Sequence, residues 1–396
     1  MKILPNIPYL GSEEEVAVRE AISSGHLIGN GEICRRVECQ MQDIFDVGHV
    51  LLSTSCTHAL EMAMLALDIG PGDEVILPSF TFASTANCVV LRGAKPVFAE
   101  IEPQTLNINP DDVRHRITSR TRAIIPVHYA GVGCNMDEIM AIAEEHGLYV
   151  VEDAAQGVDA KYGGRYLGTI GHIGCYSFHS TKNITCGEGG ALLTGDDGIA
   201  RRAEIIREKG TNRSAFLRGE VDKYNWVSVG SSYVLSDLLA AVLEAQLKKR
   251  SEIKSRRRAV WEHYHTRLSV LAATGKLVLP TIPVACEPNY HIFFFRVVDR
   301  ETRAAMLEEL RSEGIGATFH YIPLHSSPFG SRQLEKREAL PVTDACSLTL
   351  VRLPIHPRVT RMEVDLSCDV IARSIGVSAV NQGGSAVREI EPSLVL

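Results

Sequence analysis

Ser177-Phe178-His179-Ser180-Thr181-Lys182-Asn183, with Gly187-Glu188-Gly189-Gly190 just beyond it, sets the reading of this chain. One lysine stands among small, polar and glycine residues. Its flanks, Ile173-Gly174-Cys175-Tyr176 and Ala191-Leu192-Leu193, are strand-like. A lysine between two buried strands either meets a partner or does chemistry, because burial lowers its pKa and frees the amine. Upstream, Val150-Val151-Glu152-Asp153-Ala154-Ala155-Gln156 is an apolar strand that ends in an acid. A lysine and a strand-end carboxylate are what pyridoxal phosphate requires. The amine forms an imine with it, and the carboxylate keeps the pyridine nitrogen protonated so that the ring draws electrons. Taken alone, Asp153 reads equally as a cap for whatever follows the strand. Gln156 reaches the cofactor's phenolic oxygen in the first reading and is a polar loop residue in the second.

Outward from this stretch, short apolar strands alternate with helices. Strands are expected at residues 50–52, 74–78, 96–98, 123–127, 148–151 and 191–193, and a helix over 59–67. Asn109-Pro110-Asp111-Asp112 starts another helix with a cap, a proline in the first turn and acids. This alternation predicts an α/β fold with a mainly parallel sheet covered on both faces. Nearer the N-terminus, Ser12-Glu13-Glu14-Glu15 reads as a capping box for a helix to Ser24, and Gly25, Gly29 and Gly31 as a loop-like segment. A long helical region is expected from Ser236 to His265, and Pro280 and Pro283 mark a boundary loop. Beyond them a strand at 293–295, a helix at 302–312, a strand at 318–321 and a helix capped by Thr360 and Glu363 make a small α+β domain. The expected division is an N-terminal arm (1–35), a large cofactor-binding domain (36–250), a small C-terminal domain (251–376) and a poorly ordered tail (377–396).

Composition narrows the function. The chain has 396 residues, 22% charged and 45% hydrophobic, which is ordinary for a globular protein. A formal net charge of −7 argues against nucleic-acid binding driven by overall electrostatics. No run approaches the ~20 apolar residues of a membrane span, and the start lacks a signal-peptide pattern. Ten cysteines without a CxxC pair read as reduced thiols of a cytoplasmic protein.

Further candidates lie near the same strand ends. Ser53-Thr54-Ser55-Cys56-Thr57 joins a strand to a helix, where backbone N–H groups and hydroxyls suit a phosphate or simply cap the helix. Ser177 can add a hydroxyl. Phe80-Thr81-Phe82 offers an aromatic to lie on a pyridine ring, although phenylalanine is more often core. His128, His179, His320 and His325 lack metal-site spacing, so no metal is expected. Arg201, Arg202, Arg207 and Lys209 read as a solvated helix face.

Together, residues 177–190, Val151 to Gln156 and Pro78-Ser79-Phe80-Thr81-Phe82 resemble the sugar-nucleotide aminotransferases of the DegT/DnrJ family, over about residues 5–375. The resemblance implies a pyridoxal-phosphate enzyme of fold type I, aspartate aminotransferase-like. Val127-His128-Tyr129-Ala130-Gly131, residues 207–213 and His320-Tyr321-Ile322-Pro323-Leu324-His325 look like the branch that aminates C4 of dTDP-4-oxo-6-deoxy-D-glucose with L-glutamate as donor. Carried over by position, Lys182 is the imine-forming lysine, Asp153 the pyridinium partner, Gln156 the residue at the phenolic oxygen and Phe82 the stacking ring. Ser55, Thr57 and Ser177 fall at phosphate positions, and Cys56 stands where many relatives have glycine. Ser232 stands where many have an asparagine that reaches the neighbouring subunit's phosphate. A homodimer with shared sites is implied. His320, Tyr321 and His325 are expected to line the sugar-nucleotide entrance, and Lys209, Arg213 or Lys223 to meet its diphosphate. The rival readings are amination at C3 of a keto sugar or of an inositol ketone, and a non-catalytic binding protein that keeps the fold.

Overall fold

The computed structural model describes residues 2–333 and 339–377. Seven strands form the central sheet: β1 (His49–Ser53), β2 (Glu74–Pro78), β3 (Lys95–Ala99), β4 (Thr121–Ile124), β5 (Tyr149–Asp153), β6 (Ile173–Ser177) and β7 (Gly190–Thr194). Their order across the sheet is β1-β7-β6-β5-β4-β2-β3. β7 runs antiparallel to both neighbours, and every other pairing is parallel. The strands are apolar on both faces because both are covered. Leu51, Leu77, Val151 and Leu192 pack on one side against Leu60 and Ala63. Their neighbours Val50, Leu52 and Leu193 turn to the other side, onto Met41 and Phe45. Each such side chain, fully buried, contributes about 1.5–3 kcal/mol.

α1 (Ser12–Ser24) starts one residue earlier than the sequence suggests. Its N-cap is Gly11, and the reaching carboxylate is Glu14 rather than Glu15, bonded to the Gly11 N–H at 2.7 Å. A distant partner sets this register: Glu14 also accepts from Gln246 Nε2 at 2.8 Å and pairs with Lys249 at 2.6 Å. A helix not expected from the sequence follows, α2 (Glu32–Phe45), so the supposed arm of residues 1–35 holds α1 and the start of α2. Its N-terminus has no local cap. Asp237 from a remote helix accepts from Cys34 N at 2.9 Å, and Gly31 leaves the room, since a Cβ there would meet Asp237 Oδ2 at 2.1 Å.

Arg207 corrects another expectation. It is not on a solvated face; it is 3% exposed and paired with Glu38 of α2. The expected helix 236–265 is two helices, Asp237–Lys248 and Arg250–Ala272. The chain turns at Lys249, where packing passes from the large-sheet core (Leu243, Leu247) to a second core (Val260, Trp261, Tyr264). That second core surrounds a three-stranded antiparallel sheet of Leu277–Val278, β8 (Phe293–Val297) and β9 (Leu350–Leu353). Residues 318–321 are not a strand: only Thr318 bridges to β9, opposite Arg352. The stretch beyond it leaves the sheet toward the cavity described below. The expected tail lies, from residue 378 on, outside the described residues. All ten cysteines are free and all but Cys39 are buried. Among the described residues no helix is long and apolar enough to cross a membrane.

Candidate active site

Because β1, β2, β4, β5 and β6 run parallel, their carboxyl ends meet at one edge, the usual place for a ligand in an α/β sheet. β7, antiparallel, begins there. This edge brings Ser55, Phe82, Asp153, Gln156, Ser177 and Lys182 around one cavity of about 540 Å³. Residues from the C-terminal part of the chain close its other side: Arg352 of β9, His291 just before β8, and His320 and Tyr321 from the segment that leaves the sheet.

Lys182 follows β6 in a turn, its N–H bonded to His179 O at 2.8 Å. Its amine has no hydrogen bond or ion pair with any described residue. Burial holds it below the ordinary lysine value. Arg352 pushes the same way, while Cys56 and Asp153 oppose. A deprotonated, unengaged amine is the form that attacks a carbonyl carbon.

Asp153 ends β5 and is 5% exposed. Thr85 Oγ1 donates to its Oδ2 at 2.7 Å, and Thr81 and Thr85 hydroxyls lie 2.8 Å apart. Its Oδ1 accepts from Ala155 N at 3.1 Å, so it also caps locally. Behind it, Glu152 is buried and accepts from Gly168, Ile170 and Gly171 N–H groups and from His128 Nε2 at 2.8 Å. These bonds pin the strand end that carries Asp153. Gln156 accepts from Ala130 N at 2.7 Å and donates to Tyr321 OH at 3.0 Å. His320 stacks on Tyr321, centroids 4.3 Å apart.

On the opposite wall, α3 (Cys56–Ala66) points its N-terminus into the cavity. Ser55 caps it, accepting from His58 N at 3.1 Å, which leaves the Cys56 and Thr57 N–H groups for a ligand. Gly190 lets β7 pass close by: a Cβ there would meet Cys56 N at 2.4 Å. Thr57 Oγ1 lies 2.8 Å from Ser84 Oγ, and Ser177 lies at the end of β6. Phe82 begins α4 (Ala83–Val90) and is 64% exposed although it lines a cavity, whereas Phe80 is core at 1%.

Not every expected residue arrives. His325 is buried, its Nδ1 2.7 Å from Ser79 Oγ, and it fastens the 318–326 segment rather than lining the cavity. Arg213 pairs with Glu208 at 3.4 Å, and Lys223 and Ser232 are exposed; none of the three lines the cavity within one chain. Conversely, sequence reasoning passed over Arg352, His291 and Thr85. Arg352 carries a signal, a lone charge in the apolar run Leu350-Val351-Arg352-Leu353.

A model of the DegT/DnrJ/EryC1/StrS aminotransferase family matches residues 8–372. The chain belongs to this family. It is 36% identical to the uncharacterized protein MJ1066 of Methanocaldococcus jannaschii, over 91% of this chain and 94% of that protein. It is 35% identical to the spore coat polysaccharide biosynthesis protein SpsC of Bacillus subtilis, with the same coverage. Its fold is similar to that of S. venezuelae DesV, solved in complex with a ketimine intermediate: TM-score 0.84, 31% identity, 93% of this chain and 98% of that one. The α/β fold with its mostly parallel seven-stranded sheet is that of pyridoxal-phosphate aminotransferases.

The residues fit pyridoxal phosphate on their own chemistry. The site holds an unengaged lysine amine, a carboxylate fixed by a hydroxyl, a helix N-terminus with free N–H groups and a phenylalanine with a bare face. Gly190 lets the start of β7 lie against the backbone of Ser55 and Cys56 at that helix N-terminus, where any side chain would collide.

Proposed function

We propose that this family member transfers an amino group from L-glutamate to C4 of dTDP-4-oxo-6-deoxy-D-glucose, giving a 4-amino-4,6-dideoxyhexose nucleotide and 2-oxoglutarate. The observation that carries the reading is the free amine of Lys182 facing a cavity whose far wall is the 320–321 segment. That segment and residues 127–131, which resemble the C4-aminating branch, are in contact: Tyr129 OH lies 3.3 Å from His320 Nδ1.

Pyridoxal phosphate, when bound, supplies a carbonyl that takes up the amine and a ring that draws electrons from the carbon losing its proton. The N–H groups of Cys56 and Thr57, with the Ser55 and Ser177 hydroxyls, would hold its phosphate. Phe82 would cover the ring, and Gln156 Nε2 would meet the phenolic oxygen. Asp153, oriented by Thr85, would hold the proton on the pyridine nitrogen. Lys182 takes the proton from Cα of glutamate in the first half-reaction and delivers one to C4 of the sugar in the second. Tyr321 and His320, stacked, bound the side from which the substrates enter. Arg213, Lys223 and Ser232 belong to this reading only through a second copy of the chain.

Residues 216–229 support such a homodimer, because Leu217, Tyr224, Trp226 and Val229 are all more than half exposed. Sedimentation at micromolar concentration should give twice the chain mass; a monomer would contradict the shared site. For the reaction, purified protein with pyridoxal phosphate, glutamate and dTDP-4-oxo-6-deoxy-D-glucose should yield a product whose NMR spectrum places the amine on C4. The free keto sugar should be a far poorer substrate, since the diphosphate offers charge for cations to meet. Amination found only at C3, or equal efficiency without the nucleotide, would refute the assignment.

A further inference from the structure

His291 lines the active cavity just before β8, and its surroundings fix both its tautomer and its charge. Its backbone is held from behind. Arg257, buried in the helix Arg250–Ala272, donates to Tyr290 O at 3.1 Å and to His291 O at 2.6 Å. Asn289 Oδ1 accepts from His291 N at 3.1 Å, while Asn289 Nδ2 donates to Gln156 O and Val158 O, each at 2.8 Å. The imidazole is tied to the residue that follows Lys182. Asn183 Nδ2 donates to Asn289 O at 2.8 Å, which turns Asn183 Oδ1 to His291 Nδ1, 2.8 Å away. A carboxamide oxygen only accepts, so Nδ1 carries the ring proton and Nε2 keeps a bare lone pair. Burial, then Lys182, Arg257, Arg352 and His320, hold the His291 pKa well below the ordinary histidine value, so the ring stays neutral. Nε2 has no hydrogen bond with any described residue, and neither has the Lys182 amine. A buried acceptor left unpaired costs stability. One side of the cavity thus carries a lone acceptor and a lone amine on two segments fastened to each other through Asn183.

Resting on the aminotransferase reading above, we propose that His291 is the positioning residue of Lys182: once the donor has displaced the lysine, His291 Nε2 accepts an N–H of its amine and turns the amine's lone pair to the donor's Cα–H bond. A four-carbon stem reaches such a position by changing rotamer. In the step that follows, the Cα–H bond breaks, an N–H bond forms on Nζ, and the electron pair goes to the bound cofactor. Lys182 is then an ammonium with no acid bonded to it, and a bare Nε2 receives a charged donor more strongly than a neutral one. The proton remains on Nζ for the next transfer, because a ring surrounded by cations does not take it up. A substrate hydroxyl is the weaker candidate for Nε2, since the other ring nitrogen is bonded to the neighbour of Lys182 and not to a residue of the entrance.

Two variants separate the acceptor from the anchor. His291→Asn sets an amide where Nδ1 stands, so it keeps the bond to Asn183 and loses the acceptor. His291→Gln sets a carbonyl near the place of Nε2 and loses the bond to Asn183. Cofactor absorbance in single turnovers of the holoenzyme with L-glutamate follows the transfer to Lys182. His291→Asn should slow it about 100-fold, the low end for a positioned proton-transfer group, with the apparent Kd for glutamate within about 3-fold of wild type. The slowed step should show a full isotope effect with glutamate deuterated at Cα. His291→Gln should stay within about 10-fold of wild type, since a neutral acceptor is kept. A second readout needs no turnover. In protein with isotope-labelled histidines, the Nε2 resonance of His291 is assigned by its loss in either variant. It should move when pyridoxal phosphate is exchanged for pyridoxamine phosphate, which leaves Lys182 free, and should move far less in Lys182→Ala.

A loss in His291→Gln as large as that in His291→Asn would make His291 an anchor for Asn183 alone. A weakened Kd with an unchanged transfer rate would make it a substrate contact. Either result overturns the inference, as does a resonance that moves alike with and without Lys182. Wild-type cofactor that does not respond to glutamate would fault the donor assigned above. The resonance measurement uses no donor and still decides the role of His291.

Discussion

Lys182→Ala should bind pyridoxal phosphate without a covalent link and lose turnover by at least about 10⁴-fold, the upper range for a positioned proton-transfer group. Two functions leave together. The amine is the lysine of the cavity, held below its ordinary pKa by burial, and it is also the base placed to move the donor's Cα proton. The rest of the site should survive, because Lys182 bonds no described side chain and its removal orphans nothing. The variant should keep its fold and its thermal midpoint. Turnover within 10-fold of wild type, measured with saturating cofactor, would sink the assignment.

Asp153→Asn is the second large effect expected, about 10³-fold on both half-reactions, as for other losses of a preorganised electrostatic partner. The substitution keeps the shape and both local bonds: Thr85 can still bond the amide, and its oxygen can accept from Ala155 N. What it removes is the charge that would hold a proton on the ring nitrogen. The loss should appear in kcat for glutamate and for the amino sugar alike, with little change in cofactor affinity. A near-normal rate would mean that Asp153 is only the cap its bond to Ala155 N makes it.

Much of this was legible in the sequence because the signals are local. β2 was readable to the residue from Glu74-Val75-Ile76-Leu77-Pro78, where apolar run and proline agree. Lys182 stood out as a lone charge among small and polar residues, and Asp153 as an acid at the end of an apolar strand. What could not be read depends on partners far along the chain. α2 hides its start because its cap, Asp237, comes from 203 residues away in sequence, although Cys34, Val37, Met41 and Phe45 do form a helical apolar stripe. Glu14 displaced Glu15 as the capping acid because Lys249 and Gln246 reach it. Arg207 looked solvated because Glu38 is remote. The 318–321 stretch has strand composition, but only Thr318 finds a pairing partner, and the following residues turn to the cavity. Arg352 shows in the sequence as a lone charge in an apolar run, but that it faces the cavity with no acid beside it among the described residues is displayed only by the folded chain.

The central claim is that the Lys182 amine is the group that holds the cofactor, and one measurement addresses it directly. The protein, loaded with pyridoxal phosphate, is treated with borohydride, digested, and its peptides are weighed by mass spectrometry. The account predicts that the cofactor's absorbance band is bleached and that its reduced mass stays on the peptide carrying Lys182. A cofactor mass on another lysine, or none retained by any peptide, would contradict it.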